Sequence, residues 1–156
     1  MENSEVFGRE KTSLINNDNL KLNGGDLNNF NDNTKSTVLL GLLNIRSILS
    51  KFDVIHELFH DGLDIFVLTE TWHGSSDSIS IKLSMPSGFR YFDYLRLNDP
   101  FHGGLIIFFR SHFKCKKIEL PLLVTFEAIA LKFIINNKDF VLLTIYRPGS
   151  TLVNAS

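Results

Sequence analysis

Apolar and polar positions change rhythm twice along this chain. Over residues 1–37 the few apolar residues keep no period and lie among runs such as Asn16-Asn17-Asp18-Asn19 and Asn28-Asn29-Phe30-Asn31-Asp32-Asn33. Such a stretch buries too little surface to offset its ordering entropy. It is expected to be a disordered tail, with a recognition segment as the alternative. At Val38 the pattern turns apolar. Val38-Leu39-Leu40-Gly41-Leu42-Leu43 is a continuous apolar run, which predicts a strand covered on both faces. Ser47 is placed to cap a helix, in which Ile48, Phe52, Ile55 and Phe59 fall on one face. Asp61-Gly62 ends that helix. A second apolar run over 63–68 then leads into Thr69-Glu70-Thr71-Trp72. Strand, helix and strand in this order read as a βαβ-like opening.

Beyond it the helical period disappears. Residues 74–87 are rich in serine and predict a long surface loop. Residues 89–95, 104–109, 113–120, 126–135 and 140–146 read as successive strands. Asn136-Asn137-Lys138 suits a tight turn between the last two, making a hairpin. The whole reads as an α/β chain that opens with one helix and continues as an antiparallel meander.

Composition alters this picture only at the margins. At 156 residues the chain suits one domain, and 14 Phe make an aromatic core the expectation. The formal net charge of −1 gives no global pull toward nucleic acid or an anionic membrane. A lone cysteine, Cys115, excludes an internal disulfide and suits a reducing compartment. The first residues lack a secretory pattern, and no apolar run nears the ~20 residues of a membrane-spanning helix. An intracellular chain, nuclear or cytoplasmic, neither secreted nor membrane-bound, is expected.

The candidate chemistry sits at strand ends. Asn44 closes the first predicted strand and Glu70 the second. In neighbouring parallel strands, both side chains emerge at one rim, where open α/β sheets hold ligands. A carboxylate beside an amide begins the oxygen shell that Mg²⁺ takes. The bland reading is a turn-forming Asn and a solvated Glu.

Four blocks carry a further signal. Leu43-Asn44-Ile45-Arg46-Ser47, Asp64-Ile65-Phe66-Val67-Leu68-Thr69-Glu70-Thr71-Trp72, Gly103-Gly104-Leu105-Ile106-Ile107 and Tyr146-Arg147-Pro148 occur in that order. Together they resemble the endonuclease/exonuclease/phosphatase family, in particular the apurinic-endonuclease-like domain of non-LTR retrotransposons. The resemblance implies a four-layered αββα sandwich and Mg²⁺-dependent nicking of DNA. It implies a metal-binding carboxylate at Glu70 and a metal- and site-ordering amide at Asn44. At Tyr146 it implies a catalytic hydroxyl near the scissile phosphate. Arg46 and Trp72, beside these positions, become weaker candidates for DNA contact, with a surface Arg and a packed Trp as the bland readings.

The family pattern also calls for a Gly-Asp-Phe-Asn-like segment after Tyr-Arg-Pro and a later Asp-His pair. Neither occurs in this sequence; Asp99 precedes Pro100 and Asp139 is read as part of the hairpin turn. Residues 38–156 are therefore expected to be a truncated domain whose C-terminal half is missing. Self-association through a bared apolar sheet face is expected to follow. The alternative is a non-catalytic remnant of a transposable element, with no independent activity.

Other patterns compete. His56-Glu57-Leu58-Phe59-His60 matches the zinc-peptidase H-E-x-x-H, but Asp61-Gly62 ends the helix at once and no third ligand follows at a familiar spacing. Arg110, His112, Lys114 and Lys116 alternate along one strand face, with Lys117 beside them. They read as a lysine-guarded edge strand, or else as a phosphate-contacting face. Cys115 on the opposite face is expected to pack rather than react.

Overall fold

The computed structural model describes residues 37–149 except Leu97, so the tail expected over 1–37 lies outside the described residues but for Thr37. The elements are β1 (Leu40–Asn44), α1 (Phe52–His60), β2 (Ile65–Thr69), α2 (Ile79–Ser84), β3 (Phe89–Tyr94), β4 (Leu105–Arg110), β5 (Lys114–Ile118), β6 (Glu127–Ile135) and β7 (Lys138–Tyr146). The chain is mixed α/β with two sheets. β1 and β2 pair in parallel around α1, with Leu40 opposite Ile65 and Asn44 opposite Thr69, as the βαβ-like opening required.

The remaining strands do not form one meander. β4 inserts between β2 and β3 to give the order β1-β2-β4-β3, and β5-β6-β7 form a separate antiparallel sheet. Strand alternation explains how the two sheets meet. Phe66, Leu68, Ile106 and Phe108 face the helical side and pack with Ile48, Ile55, Phe59 and Ile81. Ile65, Val67, Leu105, Ile107 and Phe109 point the other way and close on Ile129, Leu131 and Phe133 of β6. β2 and β4 are thus buried on both faces, which is why they read as unbroken apolar runs. Phe59 meets the rings of Phe66 and Phe108 edge-on, while Phe133 meets Phe109 edge-on and stacks on Phe140. Burying each ring stabilises the fold by ~2–3 kcal/mol, with about 1 kcal/mol more per well-set pair.

Several expectations need correction. β1 is an edge strand that packs on both cores through Leu43 and Leu40 but is only partly covered, with Leu42 62% exposed. Ser47 does not cap α1. Its φ is +82°, its hydroxyl accepts from the Leu49 N–H, and the helix starts after Lys51 without a side-chain cap. Ile48 is still buried, in the turn before the helix, while Phe52 lies open to solvent. Gly62, at φ +88°, ends the helix as expected. The serine-rich stretch hides α2, capped by the Ser78 hydroxyl accepting from the Ile81 N–H. Only Ile81 among its large residues is buried, with Ser80 and Ser84 beside it, so no apolar stripe announced the helix. Asn136 and Asn137, at φ +51° and +59°, form the type I′ turn that joins β6 to β7.

The bared apolar face is also not the one anticipated. The inner faces of the two sheets close on each other. It is the outer face of the second sheet that meets water, with Val141, Leu143 and Ile145 58%, 53% and 57% exposed. Among the described residues no helix is long and apolar enough to cross a membrane.

Candidate functional site

β1 and β2 end level, so both chain exits leave the sheet at the same rim. Backbone pairing continues past the strands: Ile45, Ser47 and Ile48 donate to the carbonyls of Thr69, Glu70 and Thr71. Thr71 and Trp72 in turn donate to Gly104 and Gly103. Fitting this irregular ladder holds Arg46, Ser47, Glu70 and Trp72 at φ +45°, +82°, +53° and +48°. Left-handed non-glycine residues are sparse elsewhere and gather where function over-determines the backbone. The other such residues described, Asn136 and Asn137, are explained by their turn.

The ladder aims Glu70 at two donors. Asn44 Nδ2 donates to Glu70 Oε1 at 2.9 Å, and the Tyr146 hydroxyl donates to the same oxygen at 2.5 Å. Tyr146 ends β7, so the three side chains meet where the two sheets adjoin, not along the edge of one sheet. Oε2 of Glu70 accepts from neither donor. Burial pushes the Glu70 carboxyl up. The hydrogen bonds from Tyr146 and Asn44, with the charges of Arg46 and Arg96, outweigh it and hold the group below its ordinary value. Tyr146 is pushed up to about 12, first by burial and then by its bond to Glu70 and the charges of Glu70 and Glu127, with Arg96 opposing. At neutral pH the site holds a carboxylate and a protonated phenol.

Arg46 is exposed, and its charge acts on Glu70. Trp72 is half-buried, its ring edge-on to His102 at 5.4 Å, so it packs beside the site rather than standing free.

The sequence reading missed four residues here. Glu127 opens β6 directly opposite Tyr146 and binds Arg96. His73, buried, bridges Thr71 Oγ1 at 2.6 Å through Nδ1 and Asp93 Oδ2 at 3.2 Å through Nε2, pinning the Glu70 loop to β3. Burial raises the Asp93 carboxyl, but hydrogen bonds from His73 and Ser76, with the charges of His73 and Lys117, bring it below its ordinary value. Two signals were available. A single acid heads the apolar run of β6, where an inward carboxylate needs a partner. Consecutive glycines before β4 mark a close approach, and a Cβ on Gly104 would sit 2.9 Å from both His73 and Thr71.

The competing patterns have structural accounts. His56 bonds the Leu83 carbonyl at 2.8 Å through Nε2, tying α1 to α2. The basic run divides between sheets: Arg110 ends β4, where it pairs with buried Asp64 and stacks on Phe89, while the lysines line β5, an edge strand. Cys115 packs in the inter-sheet core, with burial pushing its thiol up to about 11 against the charge of Arg90. Asp99 binds His102 and Asp139 binds Lys132.

Among the described residues no three His, Cys, Asp or Glu side chains cluster to hold a metal. One carboxylate with an amide beside it does fit Mg²⁺, which keeps much of its water and binds through as few as one or two carboxylates. The chain matches no protein-family model, and no curated protein matches it at a significant level.

Proposed function

We propose that this chain forms the metal- and phosphate-binding part of a Mg²⁺-dependent phosphodiester endonuclease that acts on DNA. In this reading it belongs with the endonuclease/exonuclease/phosphatase family, similar to the nicking domains of retrotransposons. The observation that carries it is the junction of Asn44, Glu70 and Tyr146, which arrive from three strands of two sheets and share one carboxylate oxygen. The layering supports it too: helices, sheet and sheet are stacked, and the apolar outer face of the second sheet is where the fourth layer of an αββα sandwich would pack.

Glu70 would hold the ion through Oε2, with Asn44 fixing the carboxylate and adding an oxygen donor. Bound there, Mg²⁺ supplies charge neutralisation at a phosphate oxygen and at the leaving oxygen. Tyr146, protonated at all physiological pH, has one hydroxyl proton, which Glu70 Oε1 now receives; it would donate to the same phosphate by turning from that oxygen once the carboxylate binds the ion. Among the described residues, no water-activating base is recorded in contact with Glu70. The other carboxylate at the site, Glu127, is taken up by Arg96 and the Gly104 N–H. Binding without turnover is therefore the expected behaviour, and it is shared by the remnant reading.

Mn²⁺, detected by its electron paramagnetic resonance, is the direct probe. The full chain should bind it, and Glu70→Gln should weaken binding by at least the ~10-fold typical of losing even an outer-shell partner. Neither protein should nick supercoiled plasmid in Mg²⁺. Equal Mn²⁺ affinity in the two proteins would defeat the site assignment, and nicking that depends on Glu70 would show that residues 1–156 supply their own base.

A further inference from the structure

We infer that Arg96 is a phosphate-binding residue of this site, presented by the buried carboxylate of Glu127, and that its ligand is the phosphodiester backbone of a nucleic acid. The inference rests on the phosphodiester reading above and extends it to a residue that reading did not include.

Glu127 is almost fully buried, its side chain only 4% exposed. Its Oε1 accepts from both Nε and a terminal nitrogen of Arg96 at 2.5 Å, and its Oε2 accepts from the Gly104 N–H at 2.8 Å. Every oxygen of the carboxylate is thus committed. The chain is shaped around this pair: Gly103 takes φ +75°, and a Cβ there would land on the Arg96 guanidinium and the Glu127 carboxylate.

A buried ion pair is a weak device for stability, since apolar replacements of equal volume are often as good or better. Its placement is what distinguishes this one. The Arg96 side chain stays 26% exposed, and its charge reaches both Glu70 and Tyr146. A guanidinium has more N–H donors than the single oxygen of Glu127 receives. Fixed in a fork with little rotamer freedom left to lose, it is suited to a phosphate oxygen in a way that a mobile lysine is not. The charges agree with this. The carboxylates of Glu70 and Glu127 are balanced by the guanidiniums of Arg46 and Arg96. A divalent cation then leaves the site positive, as an anionic phosphodiester requires.

The test uses the full chain and a fluorescein-labelled DNA duplex, read by anisotropy at a constant Mg²⁺ concentration from about 50 to about 200 mM salt. Arg96→Gln is expected to weaken binding several-fold at the lowest salt and to make the slope of log affinity against log salt shallower by about 1. Arg96→Lys, which keeps the charge, should keep most of the slope. Lys116→Gln, on β5, should lose less affinity than Arg96→Gln.

Four results would overturn the inference. They are no duplex binding by the parent, a parental slope in folded Arg96→Gln, an equal loss in Lys116→Gln, and a well-folded Arg96→Lys that has lost the slope. Inorganic phosphate should displace the duplex no better than chloride at equal ionic strength. Displacement at much lower concentration would make free phosphate the ligand. Mn²⁺ binding measured on the same samples separates the two proposals. Its absence in the parent removes the metal reading and leaves the salt slopes interpretable. Its retention in an Arg96→Gln protein of unchanged slope removes only this inference.

Discussion

Tyr146→Phe isolates the bond that joins the two sheets at Glu70. The substitution removes one hydroxyl and leaves the ring, so packing against the inter-sheet core is retained. What is lost is a 2.5 Å donation to a carboxylate. Hydrogen bonds to charged groups contribute roughly 1.5–3 kcal/mol when sheltered, and partial exposure of the pair places this one nearer ~1–1.5 kcal/mol. The pH dependence identifies the cause. The folded-state pKa of Glu70 is depressed, so the stability it contributes is present above its unfolded value of 4.5 and is lost as pH falls through the lower folded value. The deficit of Tyr146→Phe should therefore be full at neutral pH. It should shrink to about half once the carboxyl protonates, because neutral hydrogen bonds are roughly half as strong as charge-assisted ones. Urea unfolding followed by the fluorescence of the single tryptophan, Trp72, gives both values. A double-mutant cycle with Glu70→Ala, which removes the acceptor, should return a coupling of the same ~1–1.5 kcal/mol at neutral pH. A deficit that stays constant from neutral to acid pH, or a coupling near zero, would refute the reasoning. It would mean that the hydroxyl matters for packing or solvation and not for Glu70.

The remaining predictions concern the loop and the outer face. Gly104→Ala forces a left-handed alanine against His73 and Thr71, and should cost more than ~1 kcal/mol in urea unfolding while weakening Mn²⁺ binding, because the Glu70 loop must shift; parental values on both counts would show the loop to be tolerant. The outer face of the second sheet should drive self-association, so the parent should run as oligomers by light scattering and bind a hydrophobic dye. Leu143→Lys with Ile145→Lys should shift it toward monomer, and a parent that is already a dye-negative monomer would refute the idea.

Legibility in the sequence followed the kind of force that sets each feature. The βαβ-like opening was readable because β1 and β2 are apolar runs of strand length and Ile55 and Phe59 keep a helical period. The β6–β7 hairpin was readable because Asn136-Asn137 tolerates the left-handed conformation that a type I′ turn demands. Asn44 and Glu70 were legible through their position at strand ends, and Tyr146 through the Tyr146-Arg147-Pro148 block. α2 was not, because serines fill its buried positions. The division into two sheets was not either: a single turn separates β4 from β5, and local pattern cannot say whether a strand rejoins the sheet it has just left. Arg96 and Glu127 were hidden for a further reason. They lie 31 residues apart and acquire meaning only through the fold that joins them.

The strained backbone and the shared carboxylate explain each other. Each left-handed non-glycine residue costs roughly 1–2 kcal/mol, so Arg46, Ser47, Glu70 and Trp72 together are a substantial local burden. A loop free to relax would shed it. These exits are not free, because the ladder from Ile45 to Ile48 is answered by Thr69, Glu70 and Thr71, and Thr71 and Trp72 are answered by the two glycines before β4. The nearest relaxed conformation would break several of those bonds at once. The strain therefore persists, and it fixes where Glu70 points before any ligand arrives. A metal site with one carboxylate has few ligands with which to correct a misplaced one. Rigidity in the backbone then does what additional ligands do elsewhere, and the same two glycines that hold this loop also make room for Arg96 and Glu127. The metal and phosphate binding proposed for the site would then both depend on a single structural device, the junction of two strand exits with the Gly103-Gly104 turn.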